Sequence, residues 1–261
     1  MKKLEGKIAL ITGSASGMGA AQAIEMAKEG AQVFLTDRNE TGLAETAKKI
    51  EEFGGTVGYY ACDVTDTPEL ENMYQAAMEK YGRIDVLVNT HGIFDQRKGS
   101  LEATEDDFKR FMQVNFISVA LLCNMVMPQM IERGGGSIIT VASVSGIRNT
   151  AIGGPKGSAG GGAAYTASKH AVVGYMKNLT GLYAWRGIRA NTICPGSVIT
   201  PLIQDSIDNE PDGYERRARV IPAGRLGTAE DVAKLTVFLA SDDAKFIHGA
   251  TITCDGGRSV V

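Results

Sequence analysis

The chain opens with an apolar run, Lys7-Ile8-Ala9-Leu10-Ile11-Thr12, then the turn Gly13-Ser14-Ala15-Ser16-Gly17-Met18-Gly19, then a helical pattern from Ala20 to Lys28 that stops at Gly30. The short apolar run reads as a buried strand. Glycines between a strand and a helix let the backbone turn tightly and approach a phosphate, and the first free N–H groups of the helix bind the anion. The spacing is G-x-x-x-G-x-G rather than the commoner G-x-G-x-x-G, and a glycine cluster alone is only a tight turn. Here a second strand, Gln32–Thr36, follows and ends at Asp37, eighteen residues past Gly19. A carboxylate about 20 residues beyond the turn is where a dinucleotide site holds the adenosine ribose hydroxyls. Gly13, Ser16, Gly17, Met18, Gly19 and Asp37 are therefore cofactor-binding candidates.

Beyond this unit the chain keeps alternating. Further strands are expected at Thr56–Ala61, Ile84–Val88, Ser137–Val141, Arg189–Cys194 and Ala250–Cys254. Helices are expected near Thr41–Phe53, Pro68–Tyr81, Thr104–Ile131, Ala163–Trp185 and Ala229–Ala240. Thr67 reads as an N-cap with Pro68 at the first helical position. Thr228-Ala229-Glu230-Asp231 resembles a capping box with Asp in the Glu place. Alternating units imply an α/β fold, a doubly wound parallel sheet of seven strands with helices on both faces. At 261 residues a single domain, 1–261, is expected, with no repeat.

Tyr165 and Lys169 stand four residues apart in Tyr165-Thr166-Ala167-Ser168-Lys169. On a helix that spacing stacks both side chains on one face. A phenol titrates near pH 10, so lowering it by about three units takes roughly 4 kcal/mol of preference for the phenolate. An ammonium about 4 Å away supplies roughly that much at an effective dielectric near 20. The pair suits proton transfer near neutral pH, although Tyr and Lys at this spacing are by themselves an ordinary helix surface.

Composition narrows the partners. A net charge of −3 gives no electrostatic reason to expect nucleic acid or an anionic membrane. The four cysteines, Cys62, Cys123, Cys194 and Cys254, form no C-x-x-C pair and read as reduced thiols. Met1-Lys2-Lys3 mimics a signal-peptide start, but the apolar run after it is short and is accounted for by the first strand. No membrane span is expected, and the expected location is cytoplasmic. His91, His170 and His248 lack metal-ligand spacing, so no metal is expected. Met125–Met130 reads as core packing.

In these residues the chain resembles the short-chain dehydrogenase/reductase family, over nearly its whole length. Thr12-Gly13-x-x-x-Gly17-x-Gly19 matches that family's cofactor turn, and Asp63-Val64 its adenine-contacting pair. Asn89-Thr90-His91-Gly92 stands where the family usually has Asn-Asn-Ala-Gly. Asn115, Ser143, Tyr165 and Lys169 match the four catalytic positions, and Pro195-Gly196 the turn beside the nicotinamide. Asp255-Gly256-Gly257 also matches. The resemblance implies an NAD(P)-dependent enzyme interconverting alcohols and ketones. Tyr165 is then the general acid/base, Lys169 lowers its pKa and holds the nicotinamide ribose, and Ser143 holds the substrate oxygen. Asn115 keeps a water and the lysine in a proton relay. It also implies cofactor contacts by Arg38, Asn89, Gly92, Val198 and Thr200, and a homo-oligomer, dimer or homotetramer, paired through the helices bearing Asn115 and Tyr165. Ser145 is the residue with which Ser143 could be confused; the register after the strand favours Ser143.

Two departures stand out. Thr90-His91 replaces Asn-Ala, and His91 is expected to point outward rather than toward the cofactor. Ser143 and Tyr165 are 22 residues apart, farther than the family's habit. The excess lies in a glycine-rich insertion within 148–163, centred on Gly153–Gly162. It reads as a mobile loop at the pocket mouth, either a lid or a tolerated insertion. The stretch 198–224 is the variable substrate loop, carrying Leu202, Ile203, Ile207 and Tyr214 among Asp205, Asp208, Glu210 and Asp212. Its acidic balance disfavours phosphorylated or acyl-carrier substrates. A neutral secondary alcohol or ketone fits better, such as a polyol, terpenoid or steroid.

Asp37 favours NAD; Arg38 argues for NADP, since a guanidinium there could pair with a 2′-phosphate. The other readings are an NADPH-dependent 3-oxoacyl reductase and a catalytically silent nucleotide-sensing protein.

Overall fold

The computed structural model describes residues 2–94, 98–150, 161–208 and 212–261. Seven strands form one sheet: β1 (Ile8–Thr12), β2 (Gln32–Asp37), β3 (Val57–Ala61), β4 (Val86–Asn89), β5 (Gly136–Val141), β6 (Ile188–Pro195) and β7 (Thr251–Cys254). Their order is β3-β2-β1-β4-β5-β6-β7, and every pairing is parallel. All five residues of β1 are buried, as expected of a strand covered on both faces.

The side chains of β1 divide between two cores because alternate residues face opposite ways. Leu10 joins Phe34, Leu87 and Ile138 beneath α3 (Thr67–Tyr81), α5 (Ser118–Glu132) and α6 (Ala163–Tyr183). Ala9 and Ile11 join Val33, Leu35, Val88 and Ile139 beneath α1 (Gly17–Lys28), α2 (Glu40–Glu51) and α9 (Ala229–Ala240). Met127 and Met130 are buried in the first core, with Met125 packed against it. The chain runs outward from β1 to β2 and β3, then returns to place β4 on the other side of β1. The crevice between the C-terminal ends of β1 and β4 is the position at which this architecture binds ligands.

Local signals held with four adjustments. The capping box forms: Thr228 Oγ1 accepts the Asp231 N–H, and Asp231 Oδ2 accepts the Thr228 N–H. At α3, however, the N-cap is Asp66, whose carboxylate accepts the Glu69 N–H, so Pro68 sits one place further in than expected. The long helix expected over Thr104–Ile131 is divided. It begins as α4 (Glu105–Met112), passes through a π-helical stretch, Gln113–Ile117, and continues as α5. This run, Glu105–Glu132, is also long and apolar enough to cross a membrane by length and composition, contrary to the expectation of no such segment; 44% of its most apolar window lies buried inside the fold. The substrate segment, expected as a loop, contains two helices, α7 (Pro201–Asp208) and α8 (Gly213–Ala218).

Candidate active site

The turn after β1 has the shape a phosphate needs. Gly13 and Gly17 have φ of +68° and +55°, a region that L side chains rarely enter. A Cβ on Gly13 would lie 2.7 Å from the His91 backbone nitrogen, and one on Gly19 would strike the Gly13 carbonyl. Ser16 caps α1 in extended backbone without a side-chain bond, and among the described residues the N–H groups of Gly17 and Met18 meet no side-chain acceptor. Across the crevice, Thr200 lies 3.4 Å from where a Gly17 Cβ would stand. Thr200 follows Val198, which is buried and bridged to Gly227. Gly196 donates to the Cys254 carbonyl at 3.1 Å and packs so closely on Asp255 that a Cβ would lie 2.9 Å from the Asp255 Cβ. Pro195-Gly196 and Asp255-Gly256-Gly257 are therefore one packed unit.

Asp37 ends β2 beside this turn. Its carboxylate accepts the Ala15 N–H at 3.4 Å and the Asn39 N–H at 3.0 Å. Arg38 is exposed. Its charge adds to the two Thr65 hydrogen bonds that hold the Asp63 carboxyl below the usual carboxylate range. Val64 packs against the core. Asn89, buried at the end of β4, donates to Thr140 Oγ1 at 3.2 Å and ties β4 to β5. These residues fit a dinucleotide: a backbone cradle that side chains would fill, a helix N-terminus for the phosphates, and an acid at the end of the neighbouring strand, bonded to the turn.

Tyr165, Lys169 and Asn115 come together from two elements, and Ser143 stands two residues past the Val141 carbonyl that Lys169 bonds. Tyr165 and Lys169 share one face of α6, with Lys169 Nζ 5.8 Å from the centre of the Tyr165 ring. Lys169 is buried and donates to the Val141 carbonyl at 3.0 Å. Burial pushes its ammonium down to about 8. Asn115 occupies the π-helical stretch; its Nδ2 donates to the Ile93 carbonyl and Ser168 Oγ, and its Oδ1 accepts the Ile93 N–H. Gly92 is held against this pair: a Cβ there would lie 3.2 Å from Asn115 Oδ1 and 3.4 Å from Lys169 Nζ. Ser143 follows β5 and its Oγ accepts the Ser145 N–H at 3.1 Å. Ser145 is buried and engaged with Thr150 Oγ1. Ser143 is therefore the more accessible of the two, in keeping with the register argument.

Several neighbours had no sequence signal. Phe94 and Phe111 meet the Tyr165 ring edge-on, with centroids 4.9 and 6.5 Å away. Ser168 donates to the Tyr165 carbonyl and accepts from Asn115, linking α6 to the π stretch. His91 corrects an expectation: its ring points inward, between Thr12 and Ser118, because two hydroxyls there offer both nitrogens partners. Ile203 and Ile207, read as substrate-loop residues, pack against a small cluster of Ala218, Ile221 and Leu226. The core of the glycine-rich insertion, 151–160, lies outside the described residues, as does Glu210.

A family model described as Enoyl-(Acyl carrier protein) reductase matches residues 13–259. The 2,5-dichloro-2,5-cyclohexadiene-1,4-diol dehydrogenase LinX of Sphingobium indicum is 38% identical over 258 residues, covering 99% of this chain and 98% of the relative. The 3-oxoacyl-[acyl-carrier-protein] reductase FabG of Thermotoga maritima is also 38% identical, over 98% of each chain. The crystal structure of levodione reductase superposes with a TM-score of 0.91 at 33% identity, covering 99% of both chains. The chain belongs to the short-chain dehydrogenase/reductase family. It is an oxidoreductase of the dehydrogenases and reductases that act on CH–OH groups, built on a Rossmann fold for a nicotinamide cofactor.

Proposed function

We propose that the protein is an NAD-dependent dehydrogenase that interconverts a neutral, cyclic secondary alcohol and its ketone. The observation carrying the cofactor choice is Asp37, whose carboxylate stands at the end of β2 and accepts a hydrogen bond from Ala15 in the glycine turn. Such an acid accepts bonds from both ribose hydroxyls of NAD and repels a 2′-phosphate. Arg38, exposed beside Asp37, counts for NADP.

The bound nicotinamide supplies the hydride exchange. The chain's own groups handle the oxygen and the proton. Ser143 donates to the substrate oxygen, and the Tyr165 hydroxyl gives up or takes the proton. Lys169 lies buried beneath the Tyr165 ring, where its charge favours the phenolate and its N–H groups can hold a ribose hydroxyl. Asn115 fixes Ile93 and Ser168 around it.

Charge placement supports a neutral substrate. Among the described residues, Arg148, five residues past Ser143, donates through Nη1 to the Arg258 and Val261 carbonyls, and Lys98 is paired with Asp107. Phe94 and Phe111 around Tyr165 give the site apolar rings, and the LinX relative is named for a cyclohexadiene diol. The second reading, an NADPH-dependent 3-oxoacyl reductase, has the equally similar FabG relative behind it; Asp37 weighs against it. We also propose a cytoplasmic homo-oligomer, dimer or tetramer, paired through the helical run Glu105–Glu132 that bears Asn115 and through α6. Leu182, at the end of α6, and Trp185, just beyond it, are 54% and 79% exposed, apolar surface that pairing would cover. A monomer in light scattering would contradict the pairing.

The test of function is an assay of NAD⁺ and NADP⁺ reduction over cyclic and acyclic secondary alcohols and a 3-hydroxyacyl thioester. Reduction of NAD⁺ by a cyclic alcohol is expected. Turnover confined to the thioester with the phosphorylated cofactor would replace this reading with the second.

A further inference from the structure

His91 occupies the place where the family's Asn-Asn-Ala-Gly has a methyl group, and its imidazole is bonded at both nitrogens. Nδ1 lies 2.6 Å from the hydroxyl of Thr12, the last residue of β1 and the neighbour of Gly13. Nε2 lies 2.8 Å from the hydroxyl of Ser118, the first residue of α5.

The direction of each bond follows from what its neighbours need. The π-helical stretch hands the Ser118 N–H to the Gln113 carbonyl, so the Val114 carbonyl loses the donor that an α-helix would give it. The Ser118 hydroxyl replaces that donor, at 2.7 Å. A hydroxyl has one proton to give, so Ser118 Oγ accepts from His91 Nε2–H. On the other side, Thr12 Oγ1 accepts the Thr90 N–H at 3.1 Å and the His91 N–H at 3.4 Å. Its own proton has two acceptors within reach: Nδ1 at 2.6 Å and the Val88 carbonyl at 3.4 Å. The shorter bond wins, because hydrogen bonds between oxygen and nitrogen weaken beyond about 3.2 Å. The result is one ordered chain: Thr90 N–H to Thr12, Thr12 O–H to Nδ1, Nε2–H to Ser118, Ser118 O–H to the Val114 carbonyl.

We infer that His91 is a positioning residue: as a neutral imidazole carrying its proton on Nε2, it clamps the start of the cofactor turn to the π-helical stretch that carries Asn115. Asn115 is one residue from Val114, and its amide brackets Ile93 beside Gly92, against Lys169. Loosening the clamp therefore shifts Asn115 relative to Lys169 without touching either. The neutral form is maintained because burial, helped by the Lys169 charge, pushes the imidazole down to about 4. The inference rests on the Tyr165, Lys169 and Asn115 reading above for its effect on turnover, but not for the tautomer itself.

The experiment has a substrate-free arm and a kinetic arm. In ¹⁵N-histidine NMR spectra of the whole protein, His91 should show the neutral Nε2–H pattern and fail to titrate between pH 8 and about 5. His91→Ala should lower kcat about tenfold, the worth of roughly one lost hydrogen bond, with KM for the alcohol unchanged. His91→Gln, whose amide can donate to Ser118 while accepting from Thr12, should recover most of that loss. A proton on Nδ1, or titration near the ordinary histidine value, overturns the ordered chain. A folded His91→Ala enzyme with wild-type kcat and wild-type NAD affinity overturns the positioning role. A wild type inert toward every alcohol would count against the functional reading, while the NMR result and NAD affinity of the same variants still decide the clamp.

Discussion

Lys169 Nζ sits 5.8 Å from the centre of the Tyr165 ring while donating to the Val141 carbonyl at 3.0 Å, so one buried ammonium joins the catalytic helix to the end of β5. Among the described residues no carboxylate accompanies the cation out of water, and burial lowers its pKa from 10.5 to about 8. The sign follows directly: the folded protein binds this proton less tightly than the unfolded chain. Its unfavourable contribution is complete below pH 8 and is relieved as pH rises toward 10.5. Lys169→Met should therefore be more stable than the wild type at pH 7, by an amount on the order of 3 kcal/mol at most, with the gap narrowing by pH 10. Urea unfolding at both pH values checks this. The same variant should bind NAD more weakly than Tyr165→Phe does, because Lys169 also serves the ribose; equal affinities would remove that second role.

His91 gives the opposite end of the pH range. Its pKa falls from 6.5 in the unfolded chain to about 4 in the fold. The stability it contributes is present above pH 6.5 and is lost as pH falls through about 4. His91→Gln should flatten the acid side of the stability curve by roughly 3 kcal/mol or less between pH 6.5 and 4. Parallel curves for the two proteins would show that the ring is not held neutral.

Gly92→Ala should damage catalysis more than its size suggests. The added methyl would stand 3.2 Å from Asn115 Oδ1 and 3.4 Å from Lys169 Nζ, tighter than ordinary contacts at two groups that must keep their geometry. A misplacement of a fraction of an ångström there should cost about tenfold in kcat, with thermal stability changed by only a few degrees. Steady-state kinetics beside a melting curve separates the two effects.

The supports differed in how readable they were from residue order alone. The glycine turn, Asp37 and the Tyr165–Lys169 spacing declare themselves because each is local, fixed by residues within one or two turns of chain. The α/β alternation was equally plain, since buried parallel strands are short apolar runs. The π-helical stretch was not: Gln113–Ile117 has the composition of ordinary helix, and only the tertiary pull of Ile93 and Ser168 on Asn115 distinguishes it. His91 was misread for the same reason. Its partners, Thr12 and Ser118, are distant in sequence, and nothing near His91 announces two inward hydroxyls. Helices α7 and α8 are short, eight and six residues, too few turns to announce themselves in the sequence.

In the proposed function Asp37 sets the cofactor choice. Wild type should prefer NAD⁺ over NADP⁺ in kcat/KM. Asp37→Ala should reduce that preference by a factor of the order of a thousand at most, since like charges about 4 Å apart cost roughly 4 kcal/mol at an effective dielectric near 20. A wild type preferring NADP⁺, or an alanine variant with unshifted preference, would show that Asp37 does not read the ribose.

The most direct measurement compares wild type and Tyr165→Phe on one secondary alcohol, each saturated with NAD⁺ as judged by calorimetry. The ring keeps its edge-on contacts with Phe94 and Phe111, so the fold and the cofactor site should survive. Only the proton-carrying hydroxyl is lost, and kcat should fall by at least about a hundredfold, the usual contribution of general acid–base catalysis, with NAD affinity nearly unchanged. A folded phenylalanine variant that turns over at close to the wild-type rate would contradict the assignment of Tyr165 as the acid and base.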